Sequence, residues 1–210
     1  GGDPTTLDIN SFPYLVTNTV GARTLIVNKG AFSQIFNASK NKVKWNDGTE
    51  QEYDLNQFTN IISKVELTTE ELATLKGFTA ATSIKLTENA TIPANTFKNL
   101  TALETINLPK ATTIAKDAFD ASTNLVNVIM PAYKFADETI NPQILKKASL
   151  VTLNMSGVDQ MSAAFPAKGL SLSDYNQLTT VTVKDGLLVG ASSFNGCSAL
   201  TTINGAIEFR

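Results

Sequence analysis

A unit of about 22 residues recurs in this chain, and a unit that short cannot bury its own apolar face; it must stack on copies of itself. Ile92 to Pro109 and Ile114 to Pro131 match position for position. Ile92 answers to Ile114, Phe97 to Phe119, Leu103 to Leu125, Ile106 to Val128 and Pro109 to Pro131, each 22 apart. A third copy, Ala191 to Ile203, sets Leu200 22 residues after Leu178 and Ile203 22 after Val181. Within the unit runs a shorter code: apolar, two residues, apolar, one residue, usually apolar again. It fits Ile62-Val65-Leu67, Ala81-Ile84-Leu86, Leu103-Ile106-Leu108 and Leu125-Val128-Met130. It continues through Leu150-Leu153-Met155, Leu178-Val181-Val183 and Leu200-Ile203-Gly205, and less well in Ala22-Leu25-Val27. Central residues from Val65 onward are spaced 19, 22, 22, 25, 28 and 22 apart, so the array is irregular near its start and in its middle.

The last two apolar positions of each code have the period of a short strand with one buried face. Stacked copies lay such strands side by side in parallel. The expected fold class is therefore an α/β repeat solenoid. It has a short-stranded parallel sheet on one face and short helical or irregular turns on the other. The leading Leu of each code turns inward, and Phe97, Phe119 and Phe194 fill the core from the opposite side. Pro109 and Pro131 end their strands where no ladder bond is lost. One helix is expected over Glu70 to Gly77, capped by Thr68 or Thr69 and stopped by Gly77. A second lies within Asp137 to Lys147 and starts near Asn141-Pro142, because Pro is accepted only in a first turn.

Residues 1–60 fit the unit poorly and are expected to be an N-terminal cap or small β-rich region; residues 61–210 form the solenoid. Asp47-Gly48 is a hairpin signal between Val43-Lys44-Trp45 and Glu52-Tyr53-Asp54-Leu55. Leu7 and Ile9 suit an earlier strand, and Ile207 to Arg210 suits a terminal strand or a point from which the array continues.

Composition narrows the function. With 17 Lys plus Arg against 19 Asp plus Glu, the net charge is -2, which argues against a nucleic-acid partner. No run of 18 apolar residues is present, so no transmembrane segment is expected, and Gly1-Gly2-Asp3-Pro4 does not open a leader peptide. The chain has no His and one Cys, Cys197, which removes His-dependent triads and zinc sites and any internal disulfide. Asp117 with Asp120, and Glu70 with Glu71, read as solvated acids. Nothing sets two carboxylates across a cleft as glycoside hydrolysis needs. Asn46 to Glu50 lacks the regular acidic offsets of a calcium loop. The chain is thus expected to be no enzyme, with no cofactor and no metal.

More informative are the residues flanking each central apolar position, which point outward from the expected sheet. They are Lys64 and Glu66, Ser83 and Lys85, Thr105 and Asn107, and Asn127 and Ile129. The rows continue with Thr152 and Asn154, Thr180 and Thr182, and Thr202 and Asn204. Together they make a wide, nearly neutral hydrogen-bonding surface, a candidate binding face for a protein or glycan ligand. The same residues also suit a plain solvated sheet, since Thr favours strands and stacked Asn and Thr can bond to one another. Ile129 is the exposed apolar member, and Tyr133 just beyond it would complete a small contact spot.

These residues carry a resemblance. The unit Ile-Pro-x-x-Ala-Phe-x-x-Cys-x-x-Leu-x-x-Ile-x-Leu-Pro is that of the BspA-like leucine-rich-repeat proteins of bacterial surfaces and secretions. Ile92 to Pro109, Ile114 to Pro131 and Ala191 to Ile203 resemble it closely. Ala118 keeps the family Ala and Cys197 the family Cys. Counted from the leading Leu, the Cys position falls at Asn99 and Ala121 in the other two copies. The resemblance implies a non-catalytic, adhesion-like macromolecule-binding protein, extracellular or held at the cell surface by a lipid anchor upstream, and monomeric. A structural spacer or a carbohydrate-binding accessory module is the alternative.

Overall fold

The computed structural model describes residues 6–8, 23–27, 36–37, 42–44, 50–52, 56, 58–135, 140–161 and 170–209. In chain order, β1 (Thr6–Asp8) and β2 (Arg23–Val27) pair in parallel. Strands β3 (Phe36–Asn37), β4 (Lys42–Lys44) and β5 (Glu50–Glu52) form a separate antiparallel sheet. The expected hairpin pairing is seen, with Lys42 opposite Glu52 and Lys44 opposite Glu50; Asp47-Gly48 lies outside the described residues. Next come β6 (Phe58–Ser63), α1 (Thr69–Thr74), β7 (Ser83–Leu86), β8 (Thr91–Ile92), β9 (Thr105–Asn107), β10 (Thr113–Ile114) and β11 (Asn127–Ile129). After α2 (Asn141–Ile144) follow β12 (Thr152–Asn154), β13 (Gln160–Met161), β14 (Thr180–Thr182), β15 (Leu187–Val189), β16 (Thr202–Asn204) and β17 (Ile207–Phe209).

Nine of these strands make one parallel sheet, in the order β1-β2-β6-β7-β9-β11-β12-β14-β16. Its register aligns one column of apolar residues: Leu7, Leu25, Ile61, Ile84, Ile106, Val128, Leu153, Val181 and Ile203. From Leu25 to Val181 every member is buried. The leading Leu103, Leu125, Leu150 and Leu178 are buried too, while Leu200 and Ile203 are half-buried. Units of 22, 25 and 28 residues all deliver their strand to the same register, because the extra length leaves the sheet. In the 25-residue unit it holds α2, which starts at Asn141 as the Asn-Pro step requires.

The first unit corrects the sequence reading. Its central residue is Ile61, paired with Ile84, and not Val65. Phe58, Ile61 and Ser63 occupy the three code positions, all buried. A Ser at the third position disguised the unit. Its hydroxyl is satisfied locally, donating to the Val65 carbonyl at 2.8 Å. Ser63-Lys64-Val65-Glu66-Leu67 mimics a strand by alternation alone. Leu25, from the weaker match, sits in the column, so β1 and β2 extend the repeat sheet into the first 60 residues.

The opposite face also departs from expectation. It carries little helix and instead bears further parallel ladders, β8 with β10, and β13-β15-β17. In Thr91-Ile92 and Thr113-Ile114 the Thr is exposed and the Ile buried, the period of a strand. Asn95, Asn99, Ala121, Asp174, Ser192 and Gly196 take positive φ between 60° and 76°, which interrupts any helix that would follow. Asn99, Ala121 and Gly196 each stand two residues after the core Phe. The Cys197 position is therefore held by Leu100 and Ser122 in the other copies, not by Asn99 and Ala121: all three N–H groups donate to the Phe three residues back.

Helix α1 forms where expected. Thr68 caps it, accepting from the Glu71 N–H at 3.2 Å, while Glu71 Oε2 accepts from the Thr68 N–H at 2.8 Å. Between coils the core is made of stacked rings, with Phe97 and Phe119 fully buried and 4.8 Å apart. The buried Asn89 amide closes both ends on one residue of the previous coil, donating to the Leu67 carbonyl at 2.8 Å and accepting from its N–H at 3.1 Å.

Candidate binding face

The register turns the residues on either side of the apolar column into two rows on the outer face, with strands about 4.8 Å apart. The row before the column runs Ser83, Thr105, Asn127, Thr152, Thr180, Thr202; the row after it runs Lys85, Asn107, Ile129, Asn154, Thr182, Asn204. All twelve candidates from these strands stand in the rows. Lys64 and Glu66 do not: they follow β6, and Asn60 and Ile62 hold their places. β2 adds Thr24 and Ile26. The signal that would have found these four is the Phe58–Ile61 spacing, which matches Leu103–Ile106.

The two rows differ in chemistry. The middle of the first row is bonded to itself. Asn127 Nδ2 donates to Thr105 Oγ1 at 3.1 Å, and Thr152 Oγ1 donates to Asn127 Oδ1 at 2.6 Å. One amide so zips three coils together. In the second row, Asn154 is used locally, accepting from the Ser156 N–H at 3.2 Å and its hydroxyl at 2.8 Å. By contrast, the side chains of Lys85, Asn107, Thr182 and Asn204, and of Thr202 in the first row, make no hydrogen bond among the described residues. Their donors and acceptors face water. Lys85 is the only charge in the rows, and half-buried Ile129 lies between Asn107 and Asn154. Tyr133 does not join Ile129 as expected. It is buried, packed edge-on against Phe135 with centroids 4.9 Å apart.

Charge gathers elsewhere. Lys110 pairs with Glu88, while Asp159 takes Lys184 at 2.5 Å and Lys134 at 3.0 Å from the coils on either side. Hydrogen bonds from Lys184 and Lys134 hold the Asp159 carboxyl down at about 2. Cys197 is half-buried, its Sγ donates to the Leu172 carbonyl at 3.0 Å, and burial pushes its thiol up, away from the reactive thiolate. Burial likewise drives the Tyr175 phenol to about 12; its hydroxyl donates to the Leu145 carbonyl at 3.0 Å. Among the described residues no three His, Cys, Asp or Glu side chains gather as metal ligands, and no helix is long and apolar enough to cross a membrane.

A stack of parallel coils with an apolar-x-x-apolar code and a buried Phe on the far side is a specific pattern. The family model for the BspA type leucine-rich-repeat region matches residues 51–150 and 90–209, in six copies. The chain belongs to this family. BspA-type repeat proteins are typically bacterial surface or secreted proteins, their solenoids are typically non-catalytic, and the repeat is associated with protein interaction. The match begins at residue 51 and so takes in β6, the strand whose code Ser63 disguises. No curated protein matches the chain.

Proposed function

We propose that this BspA-type solenoid is a non-catalytic, adhesion-like protein of the bacterial surface or secretions that binds a protein ligand across its outer sheet face. The observation that carries this is the contrast within the rows. Thr105, Asn127 and Thr152 bond their polar groups to one another, whereas Asn107, Thr182, Thr202 and Asn204 keep theirs open to solvent around Ile129. An apolar spot ringed by open hydroxyls and amides suits a protein surface, where a buried anchor is framed by hydrogen bonds. Residues 1–60 serve as the cap of one end, and a lipid anchor upstream would hold the chain at a membrane.

The zipped row favours a second reading, a structural spacer, because side chains bonded along the stack stiffen it without any ligand. A glycan ligand would use the same open amides and hydroxyls. Pull-down against host matrix proteins, run beside a glycan array, separates the three. Ile129→Asp combined with Thr182→Asp should abolish capture of the protein ligand and leave the circular dichroism spectrum unchanged. Capture that survives both substitutions removes the face from the proposal, and silence on both platforms leaves the spacer.

A further inference from the structure

Two Asn-Gly steps occur in the chain, Asn195-Gly196 and Asn204-Gly205, both in the last repeat. With no side chain on the following residue, Asn-Gly is the step least shielded from attack by its own backbone, and Asn is a thermolabile residue. Both Asn side chains are exposed, but the fold treats the two steps differently. Asn204 ends β16, held in the ladder against β14, and its carbonyl accepts from the Val183 N–H at 2.8 Å. Gly205 is jammed against that strand: a Cβ there would meet the Val183 carbonyl oxygen at 2.5 Å. Turning this backbone toward the Asn204 side chain means peeling the edge strand away.

Asn195 lies in a turn outside any ladder of strands. Gly196 takes φ 76° there, and its N–H makes no hydrogen bond among the described residues. Equivalent turns place Asn99, Ala121 and Asp174 at this left-handed position, each with a side chain next to the preceding residue. Only in the last repeat is the position bare. The Asn195 carbonyl accepts from the Asp174 N–H at 2.7 Å, which draws electrons from the 195–196 peptide and makes the Gly196 N–H easier to deprotonate.

We propose that Asn195 is a site of spontaneous, non-enzymatic deamidation, selected by the fold over Asn204. Hydroxide removes the Gly196 amide proton and the nitrogen attacks Asn195 Cγ. The new C–N bond closes a cyclic imide, the Cγ–Nδ2 bond breaks, and ammonia leaves with a proton from water. Water then opens the imide at either carbonyl, leaving aspartate or isoaspartate; nothing is oxidised or reduced. The product sets a carboxylate beside exposed Asp174. Isoaspartate also adds a main-chain carbon where the coil is pinned, since Ser193 and Asn195 carbonyls accept from the Leu172 and Asp174 N–H groups at 3.0 and 2.7 Å. The last repeat loosens as the protein ages.

The test incubates the folded 210-residue chain, and the same chain in denaturant, in mildly alkaline buffer. Cleavage after Lys184 yields one peptide, Asp185 to Arg210, holding both steps, so fragment masses locate the converted residue. In the folded chain Asn195 should convert several-fold faster than Asn204, and in denaturant the two should run at similar rates. Folded chain in which Asn195 stays intact, or Asn204 keeps pace, overturns the assignment. So does a signal at 195 that survives Asn195→Gln, whose ring closure is slower.

Discussion

Gly157 marks the closest approach of two coils. A Cβ there would sit 2.7 Å from the Pro131 carbonyl oxygen and 2.8 Å from that of Tyr133, both backbone atoms that cannot swing aside. Gly157→Ala should therefore cost about 1–3 kcal/mol, as overpacking a tight site does, read by chemical denaturation of the purified chain. Asn89 presents the opposite case, a polar group that fits because both ends of its amide are used. Asn89→Ala removes that amide and orphans the buried Leu67 N–H and carbonyl, and about 1–3 kcal/mol of destabilisation is expected in the same measurement. Neither role is legible in the sequence. One Gly among 12 and one Asn in a chain rich in them carry no mark of their neighbours, because those contacts cross between coils. The left-handed positions are equally silent, since Asn, Ala, Asp and Gly all fill them.

At the scale of the element, legibility follows how far the code is shared. Strands β7, β9 and β11 are read correctly because Ala81, Leu103 and Leu125 lead them and an apolar residue closes each. At β6 Ser63 fills the closing position, and the reading slides four residues to Val65, taking Lys64 and Glu66 with it. The ladders of the far face are hidden because two-residue strands such as Thr91–Ile92 are too short to show a period. What ties the coils beyond these ladders includes the charge triplet of Asp159 with Lys134 and Lys184. The Asp159 pKa in the fold, about 2, lies below its usual 3.8, so the triplet stabilises the protein above that usual value. That contribution fades as pH falls through the interval down to about 2. All three groups are exposed, so the effect is small and salt weakens it. Asp159→Asn should accordingly lower the denaturation midpoint near neutral pH in dilute buffer. The gap to the parent chain should narrow as salt is added and close at the acid end.

Across the whole molecule, the apolar column and the stacked rings join each coil only to its neighbours, so stability is distributed along the stack. Family and architecture are legible from three clean copies, because 22-residue periodicity survives substitution at any single position. The outer rows are legible only where that register is, and no sequence feature separates a Thr bonded to the next coil from one facing water. The register also explains why spacings of 25 and 28 do no harm: insertions are expelled from the sheet, and Val128, Leu153 and Val181 stay in line. A stack of this kind has a mechanical grain. Its strands lie across the long axis, so tension on the two ends loads the ladder bonds between one pair of coils before the next. Under such a load the coils would separate in succession like the teeth of a zipper, releasing chain at modest force, whereas a pull along the strands would strain every bond of a ladder together.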